Sequence, residues 1–128
     1  AVLSGASDDQ IAALNDYGIA GVRFEAATFT PTNAGDGKFE GQEVEGVRLV
    51  PIATDYDAPR AAVAMLLETR EMSGDNWSWR ESHMDRLAGT DALRLGIDAG
   101  LDFAALTSEW TDDTRAFEAL RAPYLIYR

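Results

Sequence analysis

The first pattern of apolar and polar positions predicts a short helix near the N-terminus. Ser7 and Gln10 have the spacing of a capping box, in which Ser7 is the N-cap and Gln10 lies three residues further on. Ile11 and Leu14 then form a short apolar stripe, and Gly18 follows as a signal that ends a helix. The sequence therefore predicts a helix that begins after Ser7 and ends just before Gly18.

Two apolar segments on either side of a glycine-rich stretch predict two strands. Residues 21–26 alternate with a period of two, and Pro31 ends this segment because proline cannot donate to a ladder. Residues 33–41 contain three glycines and an Asp-Gly pair, a composition typical of an exposed loop. Residues 46–52 form the second apolar segment, which predicts the second strand.

Helical patterns dominate the rest of the chain. Asp55 or Asp57 can cap a helix that has Pro59 in its first turn and extends to about Met72. Its apolar face is wide, which predicts packing against the sheet. The later predicted elements are a short helix at 82–88 ending at Gly89, a helix at 91–99 capped by Thr90, a longer helix from about 102 to 120, and a final strand at 124–127 after Pro123.

This order of elements predicts an α+β fold, in which a small mixed β-sheet packs against several α-helices. The chain has 128 residues, which is one domain's length, and such a chain can bury a core without a metal or a disulfide. We therefore expect residues 1–128 to form a single compact domain.

Composition and charge exclude several classes of function. The formal net charge of −11 disfavours nucleic-acid and anionic membrane partners, and no apolar run is long enough for membrane insertion. The chain has no cysteine and one histidine, His83, so neither a cofactor nor a metal is implied. The first residues lack the features of a signal peptide, so an exported protein would carry its signal upstream of them.

Several segments with a fixed order and spacing carry a family resemblance. They read GVRF at 21–24, FTPT at 29–32, KFEG at 38–41, EGV at 45–47, DRLAGTDALR at 85–94 and YLIY at 124–127, with Trp110, Phe117 and Arg121 before the last. From about residue 8 to the C-terminus, the chain resembles the C-terminal domain of the NamZ family. It departs from the family pattern at Val44, where many relatives have cysteine, and at Gln42, where glutamate is usual.

The resemblance implies a role in peptidoglycan hydrolysis. Family members are exo-β-N-acetylmuramidases, glycoside hydrolases that remove N-acetylmuramic acid from the non-reducing ends of peptidoglycan fragments in cell-wall recycling. Their catalytic glutamates belong to an N-terminal Rossmann-like domain, which is absent from this chain, and the substrate cleft lies between the two domains. The implied partners are that N-terminal catalytic domain and a muropeptide or N-acetylmuramic acid. The chain itself is then an accessory domain without catalytic residues, expected in the periplasm or outside the cell.

Four residues are the candidates for contacts with the sugar. Lys38 is the only lysine and lies in the glycine-rich loop, where its ammonium could pair with the lactyl carboxylate of muramic acid. Phe29 and Thr30 lead into the same loop and offer an aromatic face and a hydroxyl. Arg86 is a second cation for an anionic sugar. The alternatives are a solvated loop lysine, a buried strand end, and an ion pair of Arg86 with Asp85.

Other residues allow similar pairs of interpretations. Trp77 and Trp79 would share a face of an extended segment and form a sugar platform, the edge of a core or an interface with the missing domain. His83 is interpreted as structural rather than as a proton carrier. Three glutamates near the loop carry no mark of a catalytic pair, namely Glu40, Glu43 and Glu45. Two other functions remain open, a stand-alone module that binds cell-wall sugar and a protein–protein interaction domain.

Overall fold

A computed structural model describes residues 8–33, 35 and 37–126. The chain divides into two compact units, an N-terminal unit, Ala1–Trp77, and a C-terminal unit, Ser78–Arg128. The N-terminal unit contains α1 (Asp8–Asp16), β1 (Val22–Phe29), β2 (Val44–Pro51), α2 (Ala58–Ser73) and a 3-10 turn (Gly74–Asn76). The C-terminal unit contains α3 (Glu81–Ala88), α4 (Ala92–Asp98), α5 (Phe103–Thr107), α6 (Trp110–Arg121) and a 3-10 turn (Ala122–Tyr124). The predicted α+β class is confirmed.

The sheet of the N-terminal unit is an antiparallel hairpin. Strands β1 and β2 pair from Val22 opposite Pro51 to Phe29 opposite Val44. Because side chains alternate along a strand, Val22 and Phe24 are buried together on one face of β1 while their neighbours point outward. Val44 is also buried, as expected of a residue that packs in a core.

The outer edge of β1 is satisfied by one side chain instead of a third strand. The side-chain amide of Asn15 donates to the Phe24 carbonyl at 2.9 Å and accepts from the Phe24 amide at 2.9 Å. A strand edge otherwise exposes a row of unpaired backbone groups. Asn15 therefore fixes the end of α1 to the middle of β1, and Leu14 beside it is fully buried.

Helix α2 begins where the sequence predicts. Of the two alternatives for its cap, the structure selects Asp57, whose carboxylate accepts from the Arg60 amide at 3.0 Å and pairs with the Arg60 guanidinium at 2.8 Å. The backbone of α2 lies closer to α1 than to the strands. The Tyr17 hydroxyl after α1 donates to Glu68 on α2 at 2.9 Å. Burial, followed by this carboxylate, raises the pKa of Tyr17 to about 12, so the phenol keeps its proton at neutral pH.

Two short helices of the C-terminal unit are joined by a bidentate salt bridge. Gly89 ends α3 in the left-handed region with φ of 76°. The N-cap residue of α4 is Asp91 rather than the predicted Thr90, although the Thr90 hydroxyl accepts from the Ala92 amide at 3.1 Å. The Arg94 guanidinium on α4 donates to both carboxylate oxygens of Asp85 on α3, at 2.8 and 2.9 Å. This bridge joins α3 to α4.

The prediction of one continuous helix from about residue 102 to 120 is wrong. Asp102 caps its start by accepting from the Ala105 amide at 2.8 Å, but the chain forms two helices, α5 and α6, with a break at residues 108 and 109. The hydroxyls of Thr107 and Ser108 donate to the carbonyls of Phe103 and Ala105, and such bonds compete with the backbone ladder of a helix.

The predicted final strand is also wrong in the residues that the structure describes. Pro123 fixes a 3-10 turn over Ala122–Tyr124, and neither Leu125 nor Ile126 belongs to a strand. Ser7 and Tyr127, to which the first cap and the end of this strand were assigned, lie outside the described residues.

Burial is very uneven along the chain. In the N-terminal unit both strands, α1 and α2 contribute buried apolar side chains. Within the described part of the C-terminal unit, only Ile97 and Thr107 are buried. None of the described helices is both long enough and apolar enough to cross a membrane.

Candidate functional site

The loop between β1 and β2 is folded back on itself. The Gly41 amide donates to the Pro31 carbonyl at 3.0 Å and closes the loop at its base. The Asn33 amide donates to a Glu40 carboxylate oxygen at 2.8 Å, and the Gln42 amide donates to the Phe39 carbonyl at 3.0 Å. Glu40 therefore helps to hold the loop.

Three of the four predicted sugar-contact residues belong to this hairpin end. Phe29 is the last residue of β1, opposite Val44, and 38% of it remains exposed, so it is not a buried strand end. Thr30 follows it and is exposed, and Lys38 is exposed on the turn of the loop. An aromatic face, a hydroxyl and an ammonium are groups that can contact an anionic sugar.

Phe39 is an additional candidate that the sequence does not reveal. Its φ of 56° lies in the left-handed region, which bulky side chains rarely adopt, and 44% of the residue is exposed. Strain of this kind is concentrated at binding sites, where the surrounding structure maintains it. The residue type of Phe39 does not signal a positive φ, because the usual sign is a glycine or an asparagine at the position itself.

Arg86 is exposed in the other unit and faces its own helix. Its guanidinium lies 3.0 Å from His83 Nδ1, one turn earlier on α3. A guanidinium can only donate, so this contact requires a histidine that accepts through Nδ1. The ion pair expected between Arg86 and Asp85 is not the one that forms, because Asp85 is held by Arg94. Hydrogen bonds from Arg94 lower the pKa of Asp85, and those to Asp85 raise the pKa of Arg94.

The two tryptophans do not form a strand. Trp77 follows the 3-10 turn Gly74–Asn76 and ends the N-terminal unit, whereas Trp79 belongs to the C-terminal unit. The Trp79 indole N–H donates to Asp98 at the end of α4 at 2.8 Å. This bond supports the structural interpretation of Trp79 over a role as a sugar platform.

A cavity in the C-terminal unit was not foreseen. It has a volume of about 320 Å³ and is lined by residues of α4, α5 and α6 and the segments between them. Its wall includes Leu93, Leu101, Leu106, Glu109, Trp110 and Asp113. Glu109 and Asp113 are one helical turn apart, which places both on one helix face. Within the part of the chain that the structure describes, no group of three or more His, Cys, Asp or Glu side chains is arranged to hold a metal ion.

Comparison with known proteins places the chain in a family. Residues 3–127 match the family described as "Exo-beta-N-acetylmuramidase NamZ, C-terminal". The chain is also 27% identical over 116 residues to "Peptidoglycan beta-N-acetylmuramidase NamZ" of Bacillus subtilis (strain 168). That match covers 89% of this chain and 27% of the relative, so the chain spans about a quarter of the relative's length. No solved structure matches it.

The family match extends over nearly all of the described residues and includes the hairpin loop as well as the cavity-lining helices. The chain therefore belongs to the NamZ C-terminal family.

Proposed function

We propose that this chain is the accessory domain of a peptidoglycan glycosidase that releases N-acetylmuramic acid from non-reducing ends during cell-wall recycling. The observation that carries the proposal is the family match over residues 3–127, because the matched relative is a peptidoglycan β-N-acetylmuramidase. The rest of the relative's length has no counterpart in this chain. In the proposal, that remaining part supplies the catalytic groups on a Rossmann-like domain, and this chain forms one wall of the substrate cleft.

The hairpin end is the part of the wall that binds the sugar. Lys38 pairs with the lactyl carboxylate that distinguishes muramic acid from glucosamine, and Phe29 and Thr30 contact the ring. The bonds that close the loop, from Gly41 to Pro31 and from Asn33 to Glu40, support this role because they hold the lysine on an ordered turn. A loop held in advance loses less entropy when it binds a ligand.

The end of the chain supplies the surface for the catalytic domain. Every described residue from 111 to 126 is exposed, and this segment includes large apolar side chains. They are Phe117, Leu120, Tyr124, Leu125 and Ile126, each at least 54% exposed. Large apolar side chains that remain exposed in one segment are a feature of interaction surfaces. The small buried core of the C-terminal unit supports the same role, because a covering domain would bury the apolar surface that the unit leaves exposed.

The experiment measures hydrolysis by the two-domain protein with Lys38 changed. We expect Lys38→Met to raise KM for a substrate that ends in N-acetylmuramic acid by about tenfold, which corresponds to the loss of one charge-assisted hydrogen bond of ~1.5 kcal/mol. Lys38→Arg keeps the charge and should recover part of this loss. Arg48→Met, a change of an exposed cation on β2, is the matched control and should leave KM unchanged.

A second substrate separates a charge contact from a general disturbance of the loop. For an analogue that lacks the lactyl carboxylate, the natural protein and Lys38→Met should have similar KM values. If Lys38→Met and the natural protein hydrolyse the muramic acid substrate with equal KM, the hairpin end does not bind the sugar as proposed.

A further inference from the structure

The cavity of the C-terminal unit is large enough for a small ligand, and its wall is about half apolar and half polar. Its volume of about 320 Å³ lies at the lower end of the range for ligand pockets, roughly 300–1,000 Å³. Leu93 from α4 and Leu106 from α5 contribute to the wall. Leu101 also lines the cavity, although 46% of it remains exposed. This leaves apolar surface that a bound ligand can cover.

The polar groups of the cavity are acidic. Glu109 and Asp113 lie one helical turn apart at the start of α6 and both line the cavity. Thr90 and Ser108 contribute hydroxyls, and none of the described lining residues is basic. In a chain with a net charge of −11, this site attracts cations and repels carboxylates. An anionic muramic acid is therefore the wrong ligand for it.

An indole lies between the two carboxylates in the sequence and also lines the cavity. Trp110 is half-buried, and tryptophan is the aromatic side chain that binds cations best through its ring face. Acidic side chains in the first turn of a helix also interact favourably with the helix dipole. Asp112, the neighbour of Asp113, lies in the same first turn of α6. Asp112 does not line the cavity. The interaction with the helix dipole explains why acidic residues occur in this turn, but it does not explain the leucines and the indole that line the cavity.

We propose that this cavity binds a ligand with a primary ammonium group on a small apolar body. Glu109 and Asp113 would pair with the ammonium, Trp110 would lie against it, and the three leucines would cover the carbon atoms. Given the proposed function, on which this step rests, peptidoglycan offers two sources of the group. One is the side-chain amine of a diamino acid in the stem peptide, and the other is the 2-amino group of a glucosamine that has lost its acetyl group.

The test uses the 128-residue chain and two pairs of probes that differ in charge. Nα-acetyl-L-lysine amide is compared with the neutral Nα-acetyl-L-norleucine amide, and glucosamine is compared with N-acetylglucosamine. Binding is followed by NMR through the indole N–H signal of Trp110. Because these probes are small, we expect them to bind in the millimolar range. We expect at least one amine to bind about tenfold more tightly than its neutral partner, and the pair that shows this identifies the source.

Variants with unchanged size distinguish the carboxylates of the cavity from the charge of the chain. Glu109→Gln combined with Asp113→Asn should abolish the preference for the amine, and Asp112→Asn, one residue away on the same helix, should preserve it. The amide spectrum of each variant reports whether it is folded. Equal binding of amine and neutral probes, equal loss in Asp112→Asn, or no binding at millimolar concentrations would each overturn the proposal. None of these outcomes affects the Lys38 kinetics, so this inference and the proposed function fail separately.

Discussion

At the scale of single residues, the close approach at Gly21 sets the geometry of the hairpin. Gly21 has φ of 68°, and a Cβ added there would lie 2.8 Å from the Tyr56 Cα. Its carbonyl accepts from the Ile52 amide at 2.8 Å, so the start of β1 and the segment after β2 meet at this point. A backbone atom cannot move aside as the end of a side chain can. The position therefore requires glycine for two separate reasons, the positive φ and the close approach of Tyr56.

The first prediction separates these two reasons. Gly18 also has a positive φ, of 62°, but nothing lies within 4 Å of its added Cβ. We expect Gly18→Ala to lower the free energy of unfolding by about 1 kcal/mol, the cost of the left-handed conformation. Gly21→Ala adds the steric contact and should cost about 2–4 kcal/mol. Urea unfolding of both variants measures the difference, and equal losses would show that the approach to Tyr56 relaxes freely.

Asn15 shows what cannot be inferred from the sequence at this scale. An asparagine near the end of a helix is common and carries no special signal in a sequence. Neither spacing nor composition indicates that its side-chain amide forms hydrogen bonds with both the N–H and the carbonyl of Phe24. The pairing depends on how α1 crosses β1, which is a property of the packed unit. In contrast, the cap at Asp57 acts over three residues and is predictable from local spacing.

At the scale of elements, the bridge between Asp85 and Arg94 joins two short helices that have little core between them. Arg94 is 12% exposed and Asp85 26% exposed, whereas the pair of Arg115 and Asp112 on α6 is 74% and 84% exposed. Only a partly desolvated pair with two parallel hydrogen bonds is expected to contribute much. The pKa of Asp85 is lowered by the bonds from Arg94, which favour its charged form.

The second prediction follows from the sign of that shift. A carboxylate whose pKa is lower in the folded state stabilises the fold above its unfolded pKa of about 3.9, and this stability is lost as the pH falls through the folded value. We expect Asp85→Asn to lower the melting temperature at neutral pH, with a difference from the natural chain that shrinks as the solution is acidified. Asp112→Asn should change the melting temperature little at any pH. A difference for Asp85→Asn that does not depend on pH would contradict the account.

The helices also show how far local patterns can predict the fold. The ends of α3 and α4 and the start of α2 follow from glycines, hydroxyls and a carboxylate that act within a few residues. The break between α5 and α6 is not predictable in this way, because the apolar spacing of Leu106 and Trp110 continues across residues 108 and 109. The prediction of a final strand is wrong for another reason. Four apolar residues form a strand only where the edge of another strand is available to pair with them.

At the scale of the whole molecule, the sequence indicated the hairpin loop but not the cavity. Phe29, Thr30 and Lys38 are close in sequence, so a loop between paired strands brings them to one end of the hairpin. The cavity combines residues of three helices, and its acidic pair was indistinguishable from other surface carboxylates in a chain with 22 acidic residues. Burial is also a property of this scale, since the exposed apolar end of the C-terminal unit is evident only once the helices are placed.

The central claim is that this chain completes an active cleft without supplying its catalytic groups. The most direct test compares the release of N-acetylmuramic acid by the two-domain protein, by its N-terminal part alone and by this chain alone. We predict release by the two-domain protein, about tenfold or greater loss of kcat/KM for the N-terminal part alone, and no release by this chain. Hydrolysis by this chain alone, or full activity of the N-terminal part without it, would contradict the account.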